Sequence, residues 1–153
     1  MNLPLVFFTL LFAALGLAPG FAHLLEMPVK LRYPPEMYFQ VTSTLYSHFG
    51  IVGSVVQVAA LGTAIAFVVV SRRMPGAGLA LAGAILLAVS LVAWGSLVQP
   101  VNSAWADGIR AATLTPADYT ALRPRWEYGH LVAFVLWLGG FCALLAAALR
   151  SPR

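Results

Sequence analysis

The sequence predicts an all-α protein, a bundle of four transmembrane helices with up-down-up-down topology. Three observations carry that expectation. The 153 residues are 61% hydrophobic and 9% charged, whereas soluble domains run at roughly 45–50% apolar and about 25% charged. Four apolar runs are each long enough to cross a bilayer, which takes about 20 residues. The charged residues are kept to the ends of these runs and to the connections between them.

The first span is expected at 4–26. No Lys or Arg precedes its apolar run, and Ala18-Pro19-Gly20-Phe21-Ala22 makes a poor cleavage site. The run is also longer than the h-region of a signal peptide, about 7–15 residues, so a retained helix is expected. The second span is expected at 41–71, its apolar part starting at Phe49. Ser71-Arg72-Arg73-Met74-Pro75-Gly76 makes a tight turn into a third span at 75–98, with Pro75 suited to a helix start. The connection 99–123 contains Thr115-Pro116-Ala117-Asp118. A cap, a first-turn proline and a first-turn acid predict a short helix at 116–123. Pro124 then bends or restarts the chain into the fourth span, 124–149. In lipid each run must satisfy its own backbone hydrogen bonds, which requires helices. Small residues at four-residue spacing, such as Gly16 and Gly20 or Gly76, Ala80 and Ala84, read as packing faces between helices. Whether the chain forms a homo-oligomer is left open by the sequence. No repeat or linker divides the chain, so 1–153 reads as one membrane domain.

Four spans put both termini and the Arg72-Arg73 turn on one side, called side B. The two long connections lie on the other, side A. Side B holds Arg72, Arg73, Arg150 and Arg153 and no acid. Side A holds five cations and all five acids. The side B cations adjoin the spans without acidic neighbours, so the positive-inside rule favours an inner-membrane protein with both termini cytoplasmic. The net charge of +4 is thereby explained, and no basic cluster marks a nucleic-acid site. The single cysteine, Cys142, cannot pair within the chain.

All three histidines lie near side A. His23 and Glu26 close the first span, and Glu127 and His130 open the fourth. Each pair is spaced three residues apart, on one helix face. The two helices run in opposite directions, so the pairs match in depth. His48 precedes the apolar run of the second span at a similar level, and Asn102 follows the third. Ionisable groups near lipid usually face the bundle and mark a site. Several readings stay open. His23, Glu26, His48, Glu127 and His130 are donors suited to iron, copper or zinc. Two histidines could hold a haem. Without any cofactor, His130 or His23 could act as a base, with Glu127 and Glu26 as partners, Asn102 orienting a carbonyl and Arg125 stabilising an anion. In a purely structural reading, Glu26 and Glu127 pair with Lys30, Arg123 or Arg125, and the tyrosines form an interfacial belt.

The segments Ala22-His23-Leu24-Leu25-Glu26, Pro100-Val101-Asn102 with Trp105, and Arg125-Trp126-Glu127-Tyr128-Gly129-His130 resemble the anthrone-oxygenase-like family of small four-helix membrane proteins. Leu131-Val132-Ala133 follow His130 here, where many of that family carry an arginine. The resemblance implies the four-helix fold and a role for Asn102, Trp126 and His130. It also implies an oxygenase-type oxidoreductase acting on a lipophilic aromatic or quinone-like small molecule at a polar pocket near the outer membrane face. The alternative expectation is a non-catalytic membrane subunit whose side A cluster is structural.

Overall fold

The computed structural model describes residues 2–150, except for the side chains of Ser47 and His48. Arg153 and the expected role of the His48 side chain fall outside the described residues. The helices are α1 (Leu3–Lys30), α2 (Pro35–Leu45), α3 (Ser47–Ser71), α4 (Ala77–Leu97), α5 (Gln99–Arg110), α6 (Pro116–Ala121) and α7 (Arg123–Arg150). Four stretches are long and apolar enough to cross a membrane, containing α1, α3, α4 with α5, and α6 with α7. The chain is an all-α, multi-pass integral membrane protein.

Several boundaries depart from expectation for local reasons. The Asn2 side chain accepts from the Leu5 N–H and starts α1. The helix then runs past 26 to Lys30, and Pro28 lies inside its last turns. The second span is not continuous, because Tyr46 (φ −90°, ψ 2°) leaves helical geometry and separates α2 from α3. At the third span Pro75 stays in the turn. The chain enters α4 through Gly76 at φ 92°, a left-handed conformation that favours glycine. The connection after α4 is largely helical, forming α5. The expected short helix is present as α6. Its Thr115 hydroxyl accepts from the Asp118 N–H, and the Asp118 carboxylate reaches back to the Thr115 N–H, forming a capping box.

The spans form a closed ring in which α1 packs on α3 and α7, and α4 packs on α3 and α7. All neighbours are antiparallel. Side chains that reach the backbone of a facing helix help fix the register, since hydrogen bonds between helices hold a bundle in lipid. Thr9 donates to the Thr63 carbonyl across α1 and α3 (3.2 Å). Trp137 donates to Ala13 across α7 and α1 (2.8 Å). Ser90 donates to Ala133 across α4 and α7 (2.6 Å). Between α4 and α7, Gly83 and Gly140 meet so closely that a Cβ on either would stand 3.0 Å from the other's carbonyl oxygen.

A second layer caps the ring at side A. Tyr38 of α2, Trp105 of α5, Tyr119 of α6 and Trp126 of α7 form an apolar cluster there. Trp105 and Tyr119 stack with centroids 3.9 Å apart. The Trp105 indole N–H donates to the Tyr119 carbonyl, and the Thr42 hydroxyl donates to the Tyr119 hydroxyl. These tyrosines pack in protein rather than in a lipid-facing belt.

The Gly83–Gly140 approach gives a test. Gly140→Val should lower stability in detergent by about 1–3 kcal/mol, the usual cost of overpacking a filled interface. Gly62→Val should leave it unchanged, since a Cβ there meets nothing within 4 Å. Thermal unfolding of the two variants beside the native protein distinguishes them.

Candidate functional site

Lys30 lies in the last turn of α1 and is only 2% exposed. A buried ammonium needs counter-charge, since each desolvated ion costs several kcal/mol. Its Nζ lies 3.1 Å from Glu127 Oε2 and 3.6 Å from Glu26. Nζ also donates to His23 Nδ1 at 3.3 Å. The Tyr46 and Trp126 rings face it at 4.9 and 5.0 Å. Glu127 is 1% exposed, and its Oε1 accepts from the Tyr38 hydroxyl at 3.1 Å. Its Oε2 relies on the ion pair and accepts no well-aligned hydrogen bond among the described residues. The Tyr46 hydroxyl donates to Glu26. Burial, and next the neighbouring carboxylate, push the Tyr38 hydroxyl well above its ordinary range. Burial and the bond to Glu26 do the same for Tyr46. Both therefore remain neutral donors.

The two arginines at the start of α7 serve helix ends. Arg123 donates to the Lys30 and Tyr33 carbonyls at the end of α1. Arg125 donates to the Ser96 and Leu97 carbonyls at the end of α4. Cations suit these carbonyl-rich ends. The arrangement locks α7 to both neighbours. Arg125 does not line the cavity described next, so the structure does not bring the expected anion stabiliser to the other site residues.

His23 and His130 are brought together as the matched depths predict. Their rings stack with centroids 4.0 Å apart. His130 Nδ1 donates to the Trp126 carbonyl at 2.9 Å, which leaves Nε2 with its lone pair. His23 Nδ1 accepts from Lys30, which assigns its proton to Nε2. Two neighbouring imidazoles thus offer opposite capacities, one a base and one a donor. Asn102 Oδ1 accepts from the Trp126 indole at 2.8 Å, so it orients Trp126.

Both histidines line a cavity of about 440 Å³ that reaches down between the spans to Gly16 and Trp137. Its wall is mainly aromatic and aliphatic, and all four tryptophans of the chain contribute to it. Gly50 and Ser54 on α3, with Ala106 and Ile109 on α5, line the cavity and are exposed. Its mouth therefore opens between these helices at the side A end. Such a pocket, mostly apolar with a few convergent polar groups, suits a lipophilic small molecule.

Among the described residues, the donors expected around a metal are not assembled; the His48 side chain lies outside them. The Lys30 ammonium occupies the place among Glu26, Glu127 and His23 that a metal cation would take. Among the described residues no group of three His, Cys, Asp or Glu could hold an ion. The stacked histidines present ring faces to each other, which does not suit ligation from opposite sides of a haem. Sequence reasoning placed Lys30 only as a counter-ion for the acids and missed Tyr38 and Tyr46 as carboxylate donors. The four-residue spacing of Glu26 and Lys30 was the signal for Lys30, and no local spacing points to the two tyrosines. Comparison with family models, with characterised proteins and with solved structures finds no match to the chain.

Lys30→Met should strand Glu127 in the interior and cost about 3–5 kcal/mol of stability, as removal of one partner of a buried pair does. Adding Glu127→Leu should restore much of it. Thermal unfolding of the single and double variants would show this. Alkaline titration offers a second check. Unfolded tyrosines ionise near pH 10, or about that value. The raised Tyr38 and Tyr46 hydroxyls stabilise the fold below this pH, and the contribution is lost as pH rises through their folded values. At pH about 11 the native protein should show less phenolate absorbance than the unfolded chain, and Tyr38→Phe should shrink the late-titrating part.

Proposed function

We propose that the chain binds a lipophilic aromatic or quinone-like molecule in the cavity and acts on it as an oxygenase-type oxidoreductase. The observation that carries this reading is the stacked pair of His23 and His130 on the cavity wall, one ring a base and the other a donor. The resemblance of its polar segments to the anthrone-oxygenase-like family agrees with it. His130 Nε2 takes a proton from a CH₂ group whose acidity comes from conjugation through the aryl rings to a carbonyl across the ring. The His23 Nε2–H donates to the carbonyl oxygen, where the negative charge gathers. Dioxygen is the co-substrate and oxidant. The CH₂ carbon gains one oxygen atom as a new carbonyl, and the other oxygen leaves as water with the two hydrogens. Glu127 and Lys30 hold His23 in the donor tautomer, and Asn102 keeps Trp126 in place against both histidines.

A second reading, a non-catalytic membrane subunit with a structural cluster, is favoured by the extent to which Lys30, Glu26 and Glu127 satisfy one another. His130→Ala separates the two. Oxygen uptake is followed with protein in lipid nanodiscs and anthrone as the probe substrate. Under the enzymatic reading native protein consumes one O₂ per anthrone. The variant keeps its unfolding temperature and loses rate by about 100-fold or more, the usual contribution of a general base. Unchanged uptake in the variant, or none in the native protein, would sink the catalytic proposal. A large loss of stability would favour the structural one.

We also propose that side A faces outward and side B the cytoplasm. Ala111, exposed at the end of α5, provides the test. Ala111→Cys in a Cys142→Ala background should react with an impermeant maleimide in intact cells. Reaction only after lysis would reverse the orientation.

A further inference from the structure

Gln57 is a carboxamide inside a membrane span, eight residues past Phe49 on α3. Three contacts fix its depth. His23 lies level with Phe49, their ring centroids 6.2 Å apart. Lower down, Pro19 faces Gly53 and Thr9 bonds to Thr63. This antiparallel register sets Gln57 level with Gly16, whose Cα abuts the Trp137 ring. At about 1.5 Å per residue, Gln57 lies roughly 12 Å deeper than the histidine pair. It lines the same cavity, toward the end farthest from the histidines. Side chains on a helix lean toward its N-terminus, here toward side A, so the amide leans up into the cavity.

The other polar side chains along the wall are committed. The Ser43 and Ser54 hydroxyls donate to carbonyls of their own helices, and Ser90 donates to Ala133. Thr42 is bonded to Tyr38 and Tyr119, and Asn102 holds Trp126. Gln57 is half-buried and makes no hydrogen bond to any described residue. An amide facing apolar surroundings without a partner is unfavourable, and the more so the less water reaches it. A polar residue kept in a span despite that cost marks a functional position.

We propose that Gln57 binds the far end of the ligand. The cavity then takes a ring system carrying two hydrogen-bonding groups on opposite edges, one at the histidines and one at Gln57. Its apolar middle lies between Trp94, Leu91 and Phe134. This rests on the reading of the cavity as a ligand site. It adds a specificity rule, because a site built to hydrogen-bond a polar group disfavours the analogue lacking it.

The probes are 1-naphthol and 1,5-dihydroxynaphthalene, which differ by one hydroxyl on the opposite edge. Binding to protein in nanodiscs is read by quenching of the tryptophan fluorescence, all of which arises from the cavity wall. The native protein should bind the diol about 10-fold more tightly, the equivalent of one hydrogen bond of ordinary net strength. Gln57→Leu should remove that preference by weakening the diol alone, with 1-naphthol bound as before. Retention of the 10-fold ratio in Gln57→Leu would overturn the role of Gln57 while leaving the cavity a ligand site. Equal weakening of both probes would overturn it too, because the substitution would then act through the cavity's shape. If the native protein binds neither probe, the ligand-site reading falls and this inference with it.

Discussion

An ammonium group taken out of water must be surrounded by acceptors and counter-charge, and in a four-helix membrane bundle its own and neighbouring helices must supply them. Lys30 imposes that constraint here. Its Nζ draws Glu26 and His23 from its own helix and Glu127 from α7 to one point. Tyr38 and Tyr46 then satisfy the carboxylates from the other side. Four segments of chain are thereby brought to one depth, so the histidine pair and the side A cap follow from where one cation is buried. Arg123 reinforces the arrangement by closing α1 just beyond Lys30 and stacking over Tyr38.

The cavity is the complement of this cluster. On the α1–α7 and α4–α7 sides, glycines let the helices approach until backbone and side chain touch. On the α3 side the wall is looser. A Cβ on Gly50 would meet nothing within 4 Å, and one on Gly53 would reach only Pro19 at 3.9 Å. Close packing on two sides with slack on the third leaves a pocket with an entrance. The histidines line this pocket because Lys30 and the Trp126 carbonyl hold their outer nitrogens. Neither Nε2 has a hydrogen bond to a described residue, so the electrostatic cluster fixes the histidines while leaving those nitrogens uncommitted.

Much of this was legible in the residue order. Apolar runs of span length fix how many helices cross, since the bilayer accepts no other backbone. Three-residue spacing in two helices of opposite direction put His23 and His130 at one depth, and they stack at 4.0 Å. The Thr115–Asp118 cap is local and formed as its chemistry requires. Asn102 was legible as a polar group at the site, though its role is to hold Trp126.

What the residue order alone determined was topology, depth and the kind of group available at each depth. These depend on helix rise and on hydrophobic length, which are properties of a single segment. Only the tertiary structure decided how the groups share their partners. Lys30 could be assigned a cation's place between two carboxylates only once α1 and α7 were in register. Arg125 could turn to the end of α4 and away from the pocket only because that helix stops beside it. Gln57 reads as one polar residue in an apolar run until the antiparallel register sets it on the cavity wall below the histidines. Rotation and register between helices come from side-chain interlocking over the whole bundle, and no single segment carries that information.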